Sequence, residues 1–152
     1  MDLKKLQKKY NWSDLELFSQ EISSHKISFT ASKLKQTEST YTSGNALRLI
    51  KNKKVGFAAN YGKNDLENMI SQALEVSNFS REIDFELPDK IEKKEESKNK
   101  RESLTLYIEK GEEVIEEILC QAPNVLTDLS FEVSNVKEKI ENSKDLNYSH
   151  SK

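Results

Sequence analysis

Leu47-Arg48-Leu49-Ile50-Lys51-Asn52-Lys53-Lys54-Val55-Gly56-Phe57 is the stretch whose pattern decides the fold class. Leu47 and Leu49, then Val55 and Phe57, place apolar side chains at every second position, which is the period of a strand with one buried face. Between them Lys51-Asn52-Lys53 is a short polar link, and Asn52 tolerates the positive φ that closes a tight antiparallel hairpin. The same period runs back through Leu15 and Leu17, then Ile27, Phe29 and Ala31. With further breaks expected at Ser23-Ser24-His25 and Ser43-Gly44-Asn45, residues 14–59 predict a meander of three or four strands.

Helical spacing appears on either side. Leu3, Leu6 and Tyr10 lie near one face of a short amphipathic helix. After the hairpin, Asn64 is placed to cap a helix with Glu67 three residues on, and Leu66, Met69, Ile70, Ala73 and Leu74 make one apolar stripe. Residues 81–103 then hold 15 charged side chains in 23, with Pro88 inside and only Phe85, Leu87 and Ile91 as anchors. That composition reads as a charged linker or mobile loop. Ser103 is placed to cap another helix, in which Leu104, Tyr107, Ile108, Gly111, Ile115, Ile118 and Leu119 keep helical spacing as far as Pro123. Strand patterning resumes at Val125–Val133 and continues through Ile140 and Leu146 to Tyr148. The expected architecture is α+β, an antiparallel sheet with helices packed on one face. Residues 1–80 form a first helix, strand and helix unit, 81–103 the linker, and 104–152 a second helix with strands of the same domain.

One stretch recurs. Ser28-Phe29-Thr30-Ala31-Ser32-Lys33-Leu34-Lys35 and Ser130-Phe131-Glu132-Val133-Ser134-Asn135-Val136-Lys137 share Ser, Phe, Ser and Lys at equivalent positions and are apolar together at two more. Self-similarity of this kind marks one supersecondary unit used twice. The second copy stops at Lys152 without the helix that completes the first, so the expectation is a full unit plus the start of another, at the front of a longer protein.

Composition bounds the function. The chain has 152 residues, 35% hydrophobic, with 24 basic and 26 acidic side chains. Mean hydropathy is -0.78 and the pI near 5.8, so no overall charge draws it to nucleic acid or an anionic membrane. The lone Cys120 cannot form an intramolecular disulfide, which points to a reducing, cytoplasmic setting. No window approaches the roughly 18 apolar residues of a membrane span, and no apolar signal core follows the basic start.

No catalytic, cofactor-binding or metal-binding residue can be assigned. Cys120 lies on the apolar stripe beside Leu119 and reads as a buried, inert thiol. His25 reads as a turn residue and His150 as part of a terminal segment. Ser43-Gly44-Asn45 reads as a turn and not as a nucleophile elbow, for which the flanking glycines are absent. Gly44, Gly56, Gly62 and Gly111 are too scattered to cradle a phosphate. Lys33, Lys35, Arg48, Lys51, Lys53 and Lys54, with Tyr41 and Phe57, have the makings of a single-stranded nucleic-acid surface, but solvated strand faces explain them as well. Trp12, just before the first strand, reads as a core plug.

The run from Thr42-Ser43-Gly44-Asn45 through Val55-Gly56-Phe57-Ala58-Ala59-Asn60, followed by Asp65-Leu66 and a helix through Ala73-Leu74, resembles the N-terminal domain of the TldD/PmbA family. Leu87-Pro88, the helix after Ser103 and Glu141-Asn142-Ser143-Lys144-Asp145-Leu146 are similar to that family's continuation, with Asp145 where its turn phrase has glycine. The resemblance covers about residues 14–150. It implies a cytoplasmic metallopeptidase system, described as a modulator of DNA gyrase, in which TldD-like catalytic subunits pair with PmbA-like subunits that lack the metal site. Catalytic members hold zinc through a His-Glu-x-x-x-His motif beyond this domain, two histidines ligating and the glutamate acting as base. This sequence has no such motif, so any zinc would belong to the parent chain or its partner subunit.

The resemblance therefore implies a non-catalytic N-terminal domain that takes part in subunit assembly and encloses a peptide substrate. An autonomous protein- or nucleic-acid-binding module is the alternative. A small stand-alone enzyme is the third class, and no acid, base and nucleophile converge to support it.

Overall fold

A computed structural model describes residues 3–62, 65–88 and 103–152. The elements are α1 (Leu3–Tyr10), β1 (Asp14–Thr30), β2 (Lys33–Lys51), β3 (Lys54–Tyr61), α2 (Leu66–Ser77), α3 (Leu104–Gln121), β4 (Leu129–Asn142) and β5 (Asn147–Ser151). The strands make one antiparallel sheet in the order β3-β2-β1-β4-β5, the α+β class expected. Contacts divide the chain into two compact units, Met1–Glu21 with Thr42–Ser97 and Val136–Lys152, and Ile22–Tyr41 with Lys98–Asn135.

In the first unit, Leu15 and Leu17 of β1 and Leu47 and Leu49 of β2 are buried against Leu66, Met69, Ile70 and Ala73 of α2, with Trp12 closing one end. Trp12 is thus the core plug its position suggests, stacked on Tyr10 of α1 with ring centroids 5.9 Å apart. The hairpin from β2 to β3 aligns Leu47 with Ala58 and Leu49 with Gly56, so both strands turn the same residues to α2. Asn52 and Lys53 take φ of 52° and 62°, the two left-handed residues of the turn that matches strand twist.

Gly56 is where helix and sheet come closest. A Cβ there would overlap the carbonyl of Ala73 and press on Ser77 Cβ at 3.2 Å. The helix starts one residue later than its sequence suggests. Asp65 is the N-cap, its carboxylate accepting from the Asn68 N–H, whereas Asn64 lies outside the described residues. Glu67 is then free of the capping box and meets Lys9 Nζ of α1 at 3.1 Å. The Lys9 ammonium, bonded to the Tyr10 hydroxyl and to Glu67, is pushed above its ordinary range.

The charged stretch after α2 is held to this unit as far as Pro88. Ile83 N–H donates to Lys53 O, and Leu87 is buried with Ile50 and Val55. Asn142 Nδ2 donates to Pro88 O at 2.8 Å. The Asn142 side chain also accepts from Lys144 N and Leu146 N at 2.9 and 3.0 Å, closing the turn between β4 and β5. Asp145 has φ 63° in that turn, the left-handed conformation that glycine adopts most readily. Residues 89–102, including Ile91, lie outside the described residues.

In the second unit, Ile27 and Phe29 of β1 are buried with Ile115 of α3, flanked by Leu104, Tyr107, Ile108, Leu119, Leu129 and Phe131. Gly111 lets α3 lie on the Phe29 ring, which a Cβ would overlap. Ser103 caps α3 as expected, accepting from Leu106 N. The breaks expected at Ser23-Ser24-His25 and Ser43-Gly44-Asn45 do not exist, since both lie inside strands, and three strands fill 14–61. The turn falls instead at Ala31-Ser32, with φ of 50° and 62°. Strand β4 begins at Leu129 and not at Val125, because Thr127 and Asp128 are occupied in bonding Ser32 and Ala31 of that turn. The two similar stretches therefore differ in backbone course, Ser28–Lys35 rounding a turn while Ser130–Lys137 runs within β4. Among the described residues no helix is long and apolar enough to cross a membrane.

Two substitutions test this packing. Gly56→Ala forces α2 off the sheet and is expected to cost about 1–3 kcal/mol in urea unfolding. Gly44→Ala, whose Cβ would meet Asn60 O at 3.4 Å, is expected to stay within about 0.5 kcal/mol of wild type. Asn142→Ala strands the Lys144 and Leu146 amides and is expected to lower stability by about 1–3 kcal/mol. A neutral Asn142→Ala in the same measurement would show that the turn holds without its side chain.

Candidate functional site

Strand alternation gives the first unit a second face, turned away from α2. Arg48 and Phe57 are paired across β2 and β3, as are Ala46 and Ala59, each out of phase with the buried leucines. With Glu16 and Phe18 of β1 they line an open groove of about 490 Å³. Arg48 Nη2 donates to Glu16 Oε1 at 2.6 Å, the carboxylate side chain being only 11% exposed. The guanidinium carbon lies 4.7 Å from the centre of the Phe85 ring, in cation–π range. Arg48 Nε is buried and has no hydrogen-bond partner among the described residues. The groove is thus an apolar surface with one compensated ion pair at its rim, suited to binding an apolar surface. It brings together no proton acceptor and nucleophile.

The polar candidates lie elsewhere. Ser43-Gly44-Asn45 is strand and not turn, and Asn45 belongs to a ladder in which Ser19 Oγ donates to its Oδ1 at 2.8 Å and its Nδ2 donates to Asn60 Oδ1 at 3.1 Å. His25 is likewise a strand residue, its Nδ1 2.8 Å from Ser39 Oγ. His150 is exposed on β5 opposite Glu138. Cys120, expected to be buried, is exposed: the side chain of that turn which packs on the core is Leu119, and Cys120 lies one residue further round the helix. Of the basic candidates, Lys33, Lys35 and Tyr41 belong to the second unit, and Arg48, Lys51, Lys53, Lys54 and Phe57 to the first. Arg48 is committed to Glu16 and Phe85. The ion pair and the Phe85 stack escaped the sequence reading, since Glu16, Arg48 and Phe85 share no local motif.

Zinc is the metal that the TldD/PmbA resemblance implies for an assembled system. Among the described residues no three His, Cys, Asp or Glu side chains are grouped to hold a metal ion. Arg48→Ala removes the partner of the nearly buried Glu16 carboxylate and is expected to cost about 1–3 kcal/mol in urea unfolding, with Glu16→Gln added to it recovering part of the loss. A neutral Arg48→Ala would mean that solvent replaces the guanidinium.

Residues 15–77 match the family model described as PmbA/TldA metallopeptidase domain 1. No curated protein matches the chain. Among solved structures, TldE from Thermococcus kodakarensis superposes with a TM-score of 0.81 at 19% identity, covering 98% of this chain and 36% of its own. A candidate modulator of a DNA gyrase from Thermotoga maritima gives 0.76 at 16% identity, with 98% of this chain and 35% of that one covered. A third, a candidate modulator of DNA gyrase from Bacteroides thetaiotaomicron, gives 0.63 at 12% identity, covering 97% of this chain and 38% of that one. The chain therefore spans little more than a third of the length of these structures, whose fold it shares. Residues 15–77, which hold β2, β3, α2 and nearly all of β1, are the part that is similar to the first domain of the PmbA/TldD family.

Proposed function

We propose that this chain serves as a non-catalytic N-terminal domain of a TldD/PmbA-type metallopeptidase system in the cytoplasm, joining a TldD- or PmbA-like partner subunit and helping to enclose a peptide substrate. The observation that supports this most is the match of residues 15–77 to the first domain of that family, with a shared fold over nearly the whole chain. The groove beside Arg48, which offers apolar contact area and a compensated charge, agrees with a role in assembly. Zinc, on this reading, is held by other parts of the system.

The test is made with the whole chain and a TldD-like catalytic subunit from the same cell. The chain alone is expected to retain no zinc through gel filtration and to leave an unfolded casein peptide intact, and to co-elute with the catalytic subunit when mixed. Stoichiometric zinc or peptide cleavage by the chain alone would overturn the reading. Salt-dependent binding to a single-stranded oligonucleotide, lost in Lys53→Gln/Lys54→Gln, would favour the binding-module alternative.

A further inference from the structure

Three cross-strand pairs run down the face of β2 and β3 that is turned away from α2: Ala46 with Ala59, Arg48 with Phe57, and Ile50 with Val55. The first two line the open groove. The third continues the same row, since side chains two residues apart on a strand share a face. Ile50 and Val55 are nevertheless buried. The side chain packed on them is Leu87, carried by the chain that follows α2.

That chain has the form of a strap. Its near end is fixed to α2 and β3: Ser80 N–H donates to Ser77 O, and Ser80 Oγ accepts from Val55 N and donates to Ser77 O. From Arg81 to Pro88 every residue is exposed except Leu87, and four of the eight are charged. Among the described residues the strap is held by the Lys54 and Glu82 bridge, by Ile83 N–H on Lys53 O, by the Phe85 ring on the Arg48 guanidinium and by Asn142 Nδ2 on Pro88 O. Glu86 also meets Lys144 at 3.4 Å, but its side chain is 87% exposed, and an ion pair so solvated holds little. One buried leucine is thus set against the backbone freedom of eight residues. The sheet and α2, by contrast, share a core of nine buried side chains.

We propose that Arg81–Pro88 opens as a unit from a hinge at Ser80 while the sheet and α2 stay folded, and that this opening lengthens the groove by the Ile50 and Val55 pair. Segments with few buried contacts open at lower cost than the core they lie on, and the charges of this one lose nothing by returning to water. Closed, the strap ends the accessible row at Arg48, on whose guanidinium Phe85 stacks. Open, the row runs on to the hairpin, and Arg48 keeps its bond to Glu16. Leu87 is in this way an internal competitor: an apolar surface that takes Ile50 and Val55 has first to displace it, so the full length of the groove belongs to the open state alone. The proposal rests on how the strap is held and is independent of the peptidase-system role.

Hydrogen exchange of the wild-type chain is the first test. The Ile83 amide is expected to exchange at least about 100-fold faster than those of Leu47 and Leu49, at a rate that dilute urea hardly changes. An Ile83 amide as protected as theirs would overturn the proposal. Alkylation by iodoacetamide in a Cys120→Ser background then reads the opening at Leu87 itself. Val55→Cys, which keeps a small apolar side chain, puts a thiol beneath Leu87, and Met69→Cys puts one between α2 and the sheet. The first is expected to react at least about 100-fold faster than the second, yet more slowly than the same thiol in the urea-unfolded chain. Equal rates for the two would show that the strap leaves only when the whole unit unfolds, and a Val55→Cys rate equal to that of the unfolded chain would show that it is not held at all; either refutes the proposal. Leu87→Ala is expected to speed the Val55→Cys reaction by about 10-fold or more and to leave Met69→Cys within about twofold. Equal acceleration of both would likewise refute it.

Discussion

The approach of α2 to the sheet at Gly56 is the constraint on which the first unit depends. With no side chain at that position, the Ala73 backbone settles on β3, and Met69, Ile70 and Leu66 reach the leucines of β1 and β2. Moving the helix outward by the width of a methyl group would open gaps around all of these, since dispersion contacts weaken steeply over a fraction of an ångström. Gly111 makes the same kind of contact in the second unit, against an aromatic ring. Both helices are therefore located by a missing Cβ, and their apolar stripes decide only which way they face.

On the other face of the first unit, no helix of the described residues lies over Arg48 and Phe57. Leu87 is the side chain that seals Ile50 and Val55 there, delivered by a chain segment held through Asn142 and the backbone of Lys53. A segment rich in charge can still be anchored when one leucine is buried and its neighbours find backbone partners. Among the described residues the result is a half-covered sheet: closed over Ile50 and Val55, open over Phe18, Ala46 and Ala59.

Much of the fold was legible because it rests on local signals. The hairpin at Asn52, the stripe of α2 and the Ser103 cap all follow from spacing and turn chemistry within a few residues. Three features were not legible for the opposite reason. Ser23-Ser24-His25 and Ser43-Gly44-Asn45 look like turns, yet Ser24 bonds Ser134 and Asn45 bonds Ser19 and Asn60, partners distant in sequence that make polar residues comfortable in strands. Ala31-Ser32 has no glycine or asparagine to announce it, and its left-handed backbone is supported by Thr127 and Asp128 from far along the chain. The helical spacing around Cys120 showed a stripe but not its edge, which falls between Leu119, packed on the core, and the exposed Cys120. Of the candidate site, the residues were visible singly, while the pairing of Glu16 with Arg48 and of Arg48 with Phe85 arises only once the strands are aligned.

The second unit is made of two excursions, Ile22–Tyr41 and Lys98–Asn135, each of which leaves the first unit and returns to it. Neither unit can be released by one cut in the chain. A nick inside one excursion leaves every fragment anchored at two places, and a fragment ending within either unit takes an incomplete sheet with it. The chain has in this sense no internal seam at which the two units could be parted.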